Sequence, residues 1–198
     1  KDLAALIQTG ERHGHPMLIA SAASRVNENQ RGRMIDKIRE ALGGLKGKTL
    51  AMLGLSFKPN TNDLREAPAL AIARVLLAEG AGIRAYDPEA LTEACQFMPE
   101  LQPCRDTYHA AEGADALVIM TEWNVFRNLD FEKLKSVMRM PILLDLRNVY
   151  DPERIAASIS TTPCDNPEMI RLRRGKSRPR GSHPIGISAI TAPVSRIA

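Results

Sequence analysis

The fold is decided by a short apolar stretch, Thr49-Leu50-Ala51-Met52-Leu53-Gly54-Leu55, which is suited to a strand buried on both faces. Similar stretches follow at 82–86, 116–120 and 141–145. Strands that stay apolar along their whole length are typical of a parallel sheet that is covered by helices on both faces. These four stretches therefore predict the strands of one buried parallel sheet.

Helical segments separate these predicted strands. Residues 68–79 are rich in apolar side chains and are closed by Gly80, a residue type that commonly follows a helix. Further helices are predicted at 89–97, 108–112 and 131–138. Because strands and helices alternate along the chain, we predict an α/β domain with a doubly wound parallel sheet.

A long helical region precedes the first strand. Leu3, Leu6 and Ile7 share one face of a first helix, which ends at a break at 14–16. Apolar residues then recur at helical spacing through 16–42, a helix about 40 Å long at 1.5 Å per residue. We expect a helix of this length at the edge of a domain to pack against another domain or another subunit.

The charge of the chain is unevenly distributed. The formal net charge is +4, but seven Lys or Arg and no acidic residue lie from Arg171 onward, which leaves 20 basic and 23 acidic side chains in residues 1–170. The region of strands and helices carries no basic stripe, which argues against a nucleic-acid-binding domain. No apolar run approaches the roughly 18 residues of a membrane helix, and the first residues do not begin a signal peptide.

The cysteines and histidines indicate neither a metal site nor a nucleophile. Cys95, Cys104 and Cys164 lack the paired spacings of a zinc site, and their odd number favours reduced thiols in a cytoplasmic protein. The four histidines form no arrangement with Ser or Cys that would make a nucleophile and its base.

These patterns divide the chain into a helical segment at 1–45, an α/β domain at 46–165 and a basic tail at 166–198. The tail contains Arg173-Arg174-Gly175-Lys176-Ser177-Arg178-Pro179-Arg180 and then small, weakly patterned residues. A basic tail can bind RNA or an anionic lipid. We favour an unstructured terminus, because the segment has too little apolar surface to order itself.

The candidate binding residues follow the predicted strands, because ligands of a parallel sheet bind at the carboxyl ends of its strands. The loop after the first strand lacks the glycines of a dinucleotide-binding turn, since Gly54 stands alone. It carries Lys58 and Arg65, and a side-chain cation can hold a phosphate that a glycine loop would hold with backbone N–H groups. Equally, these cations can pair with Asp63 and Glu66.

Three more residues lie at strand ends, each with two interpretations. Asp87 occupies the position of the ribose-binding acid of a dinucleotide fold, but without the glycine loop a strand-ending turn explains it better. Trp123 can stack on a base, although such a residue more often belongs to the core or rim. Arg147 can form a phosphate clamp with the lysine of the first loop, or it can pair with Asp145 or Asp151.

Several ordered motifs resemble those of one enzyme family. The longest is Gly54-Leu55-Ser56-Phe57-Lys58-Pro59-Asn60-Thr61-Asn62-Asp63-Leu64-Arg65-Glu66-Ala67-Pro68, and 85–88, 114–123 and 145–148 follow it. Together with 26–30 in the long helix, these motifs are similar to those of UDP-glucose and GDP-mannose dehydrogenases. The resemblance covers about residues 1–160. It implies that the α/β domain is a Rossmann-like UDP-binding domain.

The resemblance implies an NAD-dependent oxidoreductase. The family oxidises the C6 alcohol of a sugar nucleotide to the carboxylate in two steps, through an intermediate bound to a cysteine. That cysteine belongs to a Cys-x-Pro-Lys-Asp motif, so it would lie three residues before Lys1, and the NAD-binding domain would also lie upstream. We therefore expect a UDP-sugar substrate, NAD as cofactor, and no dehydrogenase activity in this chain alone.

The resemblance also implies roles for five residues. Asp2 matches the carboxylate that works beside the cysteine. Phe57 and Lys58 match contacts to the sugar nucleotide, and Arg65 matches the arginine that reaches NAD across the domain cleft. Arg147 matches a cation for the sugar nucleotide, although a leucine precedes it where many relatives have glycine.

The resemblance makes the helix at 16–42 the family's central helix and predicts a homodimer formed through it. UDP-glucose is the expected substrate, with UDP-N-acetyl sugars and GDP-mannose as the rivals within the family. A non-catalytic nucleotide-sugar-binding or assembly module is the second hypothesis for the chain itself.

Overall fold

The structure is a computed structural model that describes residues 2–151. Its helices are α1 (Asp2–Arg12), α2 (Leu18–Leu42), α3 (Pro68–Ala78), α4 (Leu91–Phe97), α5 (Thr107–Ala111) and α6 (Phe131–Val137), with a 3-10 helix at Asn124–Phe126. Its strands are β1 (Thr49–Leu53), β2 (Gly82–Tyr86), β3 (Gln102–Pro103), β4 (Ala116–Ile119) and β5 (Leu143–Asp145). The predicted basic tail, the domain end predicted at 165 and Cys164 lie outside the described residues.

The five strands form one parallel sheet in the order β3-β2-β1-β4-β5. The chain moves from β1 outward to β3, and then returns to the other side of β1 to add β4 and β5. The strand order therefore reverses beside β1, which makes the gap between β1 and β4 the switch point of the sheet. This topology confirms the predicted doubly wound α/β fold.

Each face of the sheet has its own hydrophobic core. Leu50 and Met52 of β1 belong to the core that includes residues of α2, α3 and α4. Ala51 and Leu53 belong to the opposite core, beneath α5, α6 and the 3-10 helix. Because side chains alternate along a strand, β1 is buried on both faces and needs apolar residues at every position. The continuous apolar pattern of 49–53 has this cause.

The sequence patterns did not predict the edge strand β3. It has two residues, one of which is Pro103, and proline cannot donate a hydrogen bond to a neighbouring strand, so within sheets it occurs mainly in edge strands. The backbone of Cys104 continues the pairing by donating a hydrogen bond to the carbonyl of Ala85. A strand this short has no hydrophobic period that a sequence pattern could reveal.

The two halves of α2 differ in burial. Ile38 and Leu42 are buried in the core beside α3, so this half already has a partner within the chain. In the amino-terminal half, Leu18, Ile19 and Val26 are exposed, Ile19 by 88%. The carboxyl-terminal half therefore packs on the α/β domain of the same chain, and the expected contact of the helix with another domain or subunit stays a prediction. No helix within residues 2–151 is long and apolar enough to span a membrane.

Gly54 lets the chain turn sharply where β1 ends. Its φ is 86°, in the left-handed region that favours glycine. A Cβ atom at this position would lie 2.5 Å from the Cβ and 2.8 Å from the backbone N of Thr121. Gly54 therefore permits both the turn and the close approach of the segment that follows β4.

We expect Gly54→Ala to lower the free energy of unfolding by roughly 3 kcal/mol or more, since it combines a left-handed backbone with a steric clash. Urea unfolding followed by circular dichroism measures the loss. Gly113→Ala is the matched control, because Gly113 has a φ of 67° but no described residue other than its chain neighbours comes within 4 Å of the added Cβ. That variant should lose only about 1–2 kcal/mol. Equal losses in the two variants would contradict the proposed clash.

Candidate functional site

The segments that follow four strands meet at one edge of the sheet. The last residues of these strands lie in register: Leu53 of β1 is paired with Tyr86 of β2 and Ile119 of β4, and Ile119 is paired with Asp145 of β5. The residues just beyond them therefore share the carboxyl edge. Ligands of open parallel sheets bind at this edge, so the side chains here form the candidate site.

A buried carboxylate, that of Asp87, holds this edge together. Asp87 is 2% exposed and accepts six hydrogen bonds. Three come from the segment after β1, from the backbone of Leu55 and from the backbone and hydroxyl of Ser56. The others come from the backbone of Glu89 and Ala90 and from the indole N–H of Trp123, at 3.3 Å. Both carboxylate oxygens are engaged, so Asp87 has the structural role and not the ribose-binding one.

The surroundings of Asp87 favour its ionised form. Burial alone would raise the pKa of Asp87, because a charge is poorly solvated in the interior. The backbone N–H groups of Leu55, Ser56, Ala90 and Glu89 outweigh this effect and lower the pKa below its usual value. The carboxylate is therefore a charged anchor at neutral pH.

Two residues after β4 complete this buried network. The hydroxyl of Thr121 donates a 2.7 Å hydrogen bond to the carbonyl of Ser56. The indole N–H of Trp123 donates to the Ser56 hydroxyl at 3.2 Å as well as to Asp87, and its ring lies in the core. Trp123 thus belongs to the core, which was the favoured interpretation of the sequence.

The loop between β1 and α3 is held by its own polar groups. The backbone N–H of Phe57 donates to the carbonyl of Asp63, and the Thr61 hydroxyl accepts from the Asp63 N–H. Two residues of this loop, Asn60 and Glu66, have a positive φ, at 60° and 58°. Non-glycine residues rarely adopt this conformation, and they do so more often at functional sites than elsewhere.

The predicted ligand residues of this loop are exposed. Phe57 and Lys58 lie on the surface, and no ion pair of Lys58 is found among the described residues. Arg65 is 74% exposed in its side chain and binds the Asp63 carboxylate at 2.9 Å and 2.7 Å. The sequence allowed Lys58 and Arg65 to form ion pairs with Asp63 and Glu66, and the ion pair of Arg65 with Asp63 is present. Their contacts to ligands stay predictions.

Arg147 has a partner that sequence analysis missed. Its Nε donates a 2.6 Å hydrogen bond to the carboxylate of Glu122, and the two side chains are 35% and 31% exposed. The Asp145 carboxylate instead accepts from the backbone N–H groups of Arg147 and Tyr150. The suggested side-chain pairing of Arg147 with Asp145 or Asp151 is thus replaced by one with Glu122. Glu122 lies in the segment that follows β4 and within the motif at 114–123, and these positions were its signals in the sequence.

The segment that carries Arg147 is fixed at both ends. Besides its contact with Asp145, Tyr150 donates a hydrogen bond through its hydroxyl to the carbonyl of Phe126 and accepts one from the N–H of Leu129. Asn148, which lies between Arg147 and Tyr150 in the chain, has a φ of 53°. The backbone position of Arg147 is therefore defined by contacts on either side of it.

The remaining predicted site residue, Asp2, begins helix α1, and its catalytic role stays a prediction. Two surface cavities lie away from the carboxyl edge, one between α1 and α2 and one beside α3 and Phe97. Within residues 2–151, no group of His, Cys, Asp and Glu side chains could hold a metal ion. The predicted ligand residues Phe57, Lys58 and Arg147 instead follow β1 and β5, at the carboxyl edge.

Residues 51–152 match the model of the UDP-glucose/GDP-mannose dehydrogenase family, UDP binding domain. The chain is 45% identical over 157 residues to a UDP-glucose 6-dehydrogenase of Rhizobium meliloti, a match that covers 79% of this chain and 36% of the relative. It is 39% identical over 190 residues to a UDP-glucose 6-dehydrogenase of Pseudomonas aeruginosa, covering 92% and 40%. The chain spans little more than a third of the length of these relatives.

Solved structures show the same fold. A UDP-glucose dehydrogenase from Pyrobaculum islandicum superimposes with a TM-score of 0.67 at 34% identity, over 75% of this chain and 33% of the other. A UDP-D-ManNAc dehydrogenase from Pyrococcus horikoshii gives a TM-score of 0.56 at 26% identity, over 67% and 30%. Each match covers about a third of the other chain.

We expect Asp87→Asn to lower the free energy of unfolding by roughly 3 kcal/mol or more at pH 7, because an amide has one acceptor oxygen for donors that now share two. Because the folded pKa of Asp87 is lowered, its stabilisation is present above the unfolded pKa of about 3.9 and is lost as the pH falls through the folded value. The difference between the parent protein and the variant should therefore shrink below about pH 4. Urea unfolding at several pH values measures it.

Asp130→Asn is the matched control. Asp130 is exposed and accepts one hydrogen bond, from the N–H of Lys133 at the start of α6. Asn caps a helix about as well as Asp, so this variant should lose no more than about 0.5 kcal/mol. If Asp87→Asn were as mild as the control, the carboxylate would not anchor the edge.

Proposed function

The chain belongs to the UDP-glucose/GDP-mannose dehydrogenase family, and from this premise we propose that it is the nucleotide-sugar-binding part of a UDP-glucose 6-dehydrogenase. The observation that carries the proposal is the match of residues 51–152 to the UDP-binding domain of the family. The identities of 45% and 39% to UDP-glucose 6-dehydrogenases favour UDP-glucose over the other sugar nucleotides of the family.

Lys58 and Arg147 are the proposed phosphate ligands. Both follow strands whose carboxyl ends meet at one edge, Lys58 after β1 and Arg147 after β5. A diphosphate carries negative charge on oxygens that accept charge-assisted hydrogen bonds, which ammonium and guanidinium groups supply. Phe57, exposed next to Lys58, is the proposed contact to the nucleotide or the sugar.

The residues of this domain do not fit NAD in the manner of a dinucleotide-binding domain. The loop that joins β1 to α3 is long and has Gly54 as its one glycine. Both carboxylate oxygens of Asp87, the acid that follows β2, already accept hydrogen bonds from the protein. We therefore propose that NAD, which accepts the hydride in each oxidation, binds to a separate upstream domain. Arg65 is the residue of this chain proposed to reach it.

The proposed reaction of the whole enzyme is the oxidation of UDP-glucose to UDP-glucuronate in two steps. A cysteine that precedes Lys1 would hold the intermediate, and Asp2 would orient or deprotonate the water or alcohol that reacts there. Because the cysteine and the NAD domain are proposed to lie upstream, this chain alone would have no dehydrogenase activity. A cytoplasmic location is proposed for the enzyme.

We expect Lys58→Ala and Arg147→Ala in the full-length enzyme to raise the dissociation constant of UDP-glucose by about tenfold to a hundredfold, because each removes a charge-assisted hydrogen bond to phosphate. NAD binding should change little. Arg65→Ala should weaken NAD binding and leave UDP-glucose binding nearly unchanged. Isothermal titration calorimetry with each ligand, accompanied by thermal melts, measures these effects.

Lys48→Ala is the control for the two substrate variants. Lys48 lies just before β1, at the opposite edge of the same sheet. Its removal changes the net charge of the protein equally but should leave both dissociation constants unchanged. A UDP-glucose constant within twofold of the parent value in Lys58→Ala would show that the proposed clamp is wrong.

We further propose that the amino-terminal half of α2 forms a homodimer interface. Leu18, Ile19 and Val26 are exposed there, and burial of such side chains in a second subunit is favourable. At 100° per residue, these three side chains lie within about 100° of one another around the helix. A dimer that buries this stripe gives these apolar side chains a partner.

We expect Val26→Glu to weaken dimerisation by roughly tenfold or more, because it would bury an unpaired carboxylate in the interface. Asn27→Glu is the control: it adds the same charge about 100° further around the helix, away from the stripe. Sedimentation velocity of the two variants over a range of concentrations measures the difference. Equal dimerisation of both variants, with α2 still folded, would contradict this interface.

A further inference from the structure

We propose that Glu122 is a positioning residue for Arg147, which it holds by Nε so that the two terminal amino groups are left for the phosphates of the nucleotide. This inference rests on the proposed function, since it takes Arg147 to be a phosphate ligand. The observation that motivates it is the 2.6 Å hydrogen bond between Arg147 Nε and the Glu122 carboxylate.

The backbone position of Glu122 is defined by its two neighbours in the chain. The residues on both sides of it are buried and hydrogen-bonded: Thr121 to the carbonyl of Ser56, and Trp123 to the Ser56 hydroxyl and Asp87. Its backbone is therefore held between two residues of the buried network at the end of β4. The carboxylate itself stays one-third exposed, at the border between this network and solvent.

Arg147 approaches from the neighbouring strand. Ile119 at the end of β4 is paired with Asp145 at the end of β5, so the residues that follow the two strands lie side by side. The Asp145 carboxylate accepts the backbone N–H of Arg147 at 2.9 Å, which fixes where the side chain begins. The contact with Glu122 then restricts the side chain close to its charged end.

The choice of nitrogen atom matters for what Arg147 can still bind. A guanidinium group has five N–H bonds, and one of them, on Nε, is used for Glu122. Within the described residues, Glu122 is the one protein acceptor of this guanidinium. The pair of terminal amino groups remains available, and this pair can bind a phosphate with two parallel hydrogen bonds.

Ordering of the side chain before the ligand binds should strengthen binding. A free arginine side chain samples many rotamers and loses this freedom when it grips a phosphate. The Glu122 contact removes part of that freedom in advance. A carboxylate near a phosphate also repels it, but Glu122 contacts the Nε side of the group, away from the terminal fork. We therefore take positioning to be the larger effect.

The ion pair is a poor candidate for a purely stabilising contact. Both side chains are about one-third exposed, and pairs that water reaches to this extent contribute little to the free energy of folding. The Arg147 hydrogen bond lowers the pKa of Glu122, which keeps the carboxylate ionised at neutral pH. The pair is thus present under the conditions in which the nucleotide would bind.

The test measures the dissociation constant of UDP for four forms of the full-length protein by isothermal titration calorimetry. They are the parent protein, Glu122→Ala, Arg147→Ala and the double variant. We expect Glu122→Ala to raise the constant roughly threefold to tenfold. In the Arg147→Ala background, removal of Glu122 should have no further effect, because the residue it positions is gone.

Two further variants separate positioning from a general structural role. Glu122→Gln keeps an acceptor oxygen for Nε, so its dissociation constant should lie closer to that of the parent protein than to that of Glu122→Ala. Glu79→Ala removes the partner of another arginine, Arg39, which it contacts at 2.6 Å between α2 and α3. This control should lower the melting temperature no less than Glu122→Ala does, yet leave UDP binding unchanged.

The outcomes are distinguishable. If Arg147→Ala leaves UDP binding unchanged, Arg147 is not a phosphate ligand, and both the proposed clamp and this inference are overturned. If Arg147→Ala weakens binding but Glu122→Ala leaves it unchanged or tightens it, the clamp stands and the positioning role is overturned. An equal effect of Glu122→Ala in both backgrounds also overturns it, because Glu122 would then act independently of Arg147.

Discussion

The carboxyl edge of the sheet depends on the burial of one charge. A carboxylate removed from water is unfavourable unless hydrogen bonds replace its solvation, and Asp87 obtains six of them from three separate segments of the chain. These donors satisfy the carboxylate only when the segments after β1, β2 and β4 are all in place. One electrostatic requirement therefore couples three loops, which would otherwise be the most variable parts of the fold.

A chain of contacts connects the buried carboxylate of Asp87 to the charged residues at the surface. Asp87 holds Ser56 and Trp123, and Glu122 is placed between Trp123 and Thr121 in the chain. Arg147 then contacts Glu122 from the neighbouring strand. The cations proposed to bind phosphate are thus exposed side chains on a backbone that the interior defines. Such an arrangement gives a defined position to groups that must stay accessible to a ligand.

The sequence predicted the parts of this fold that follow from local patterns. Strands such as 49–53 are apolar throughout because both faces are buried, so their existence was evident, but their ends were not. The predicted first strand ran to Leu55, whereas the N–H groups of Leu55 and Ser56 bind Asp87 instead of a neighbouring strand. That choice depends on which strand lies next to β1. The partner of Arg147 was missed for the same reason, since Glu122 is 25 residues away in the chain and becomes a neighbour only through the pairing of β4 with β5.

The lack of a glycine loop has consequences for how this domain can bind a nucleotide. In a dinucleotide-binding turn, backbone N–H groups hold the phosphate in a fixed geometry at the start of a helix. Here a long polar loop separates β1 from α3, and the proposed ligands are side chains. Exposed cations are screened by water and salt, so they bind phosphate strongly only when something excludes solvent. The strength of phosphate binding by these side chains therefore depends on how far solvent is excluded from this edge when the ligand is bound.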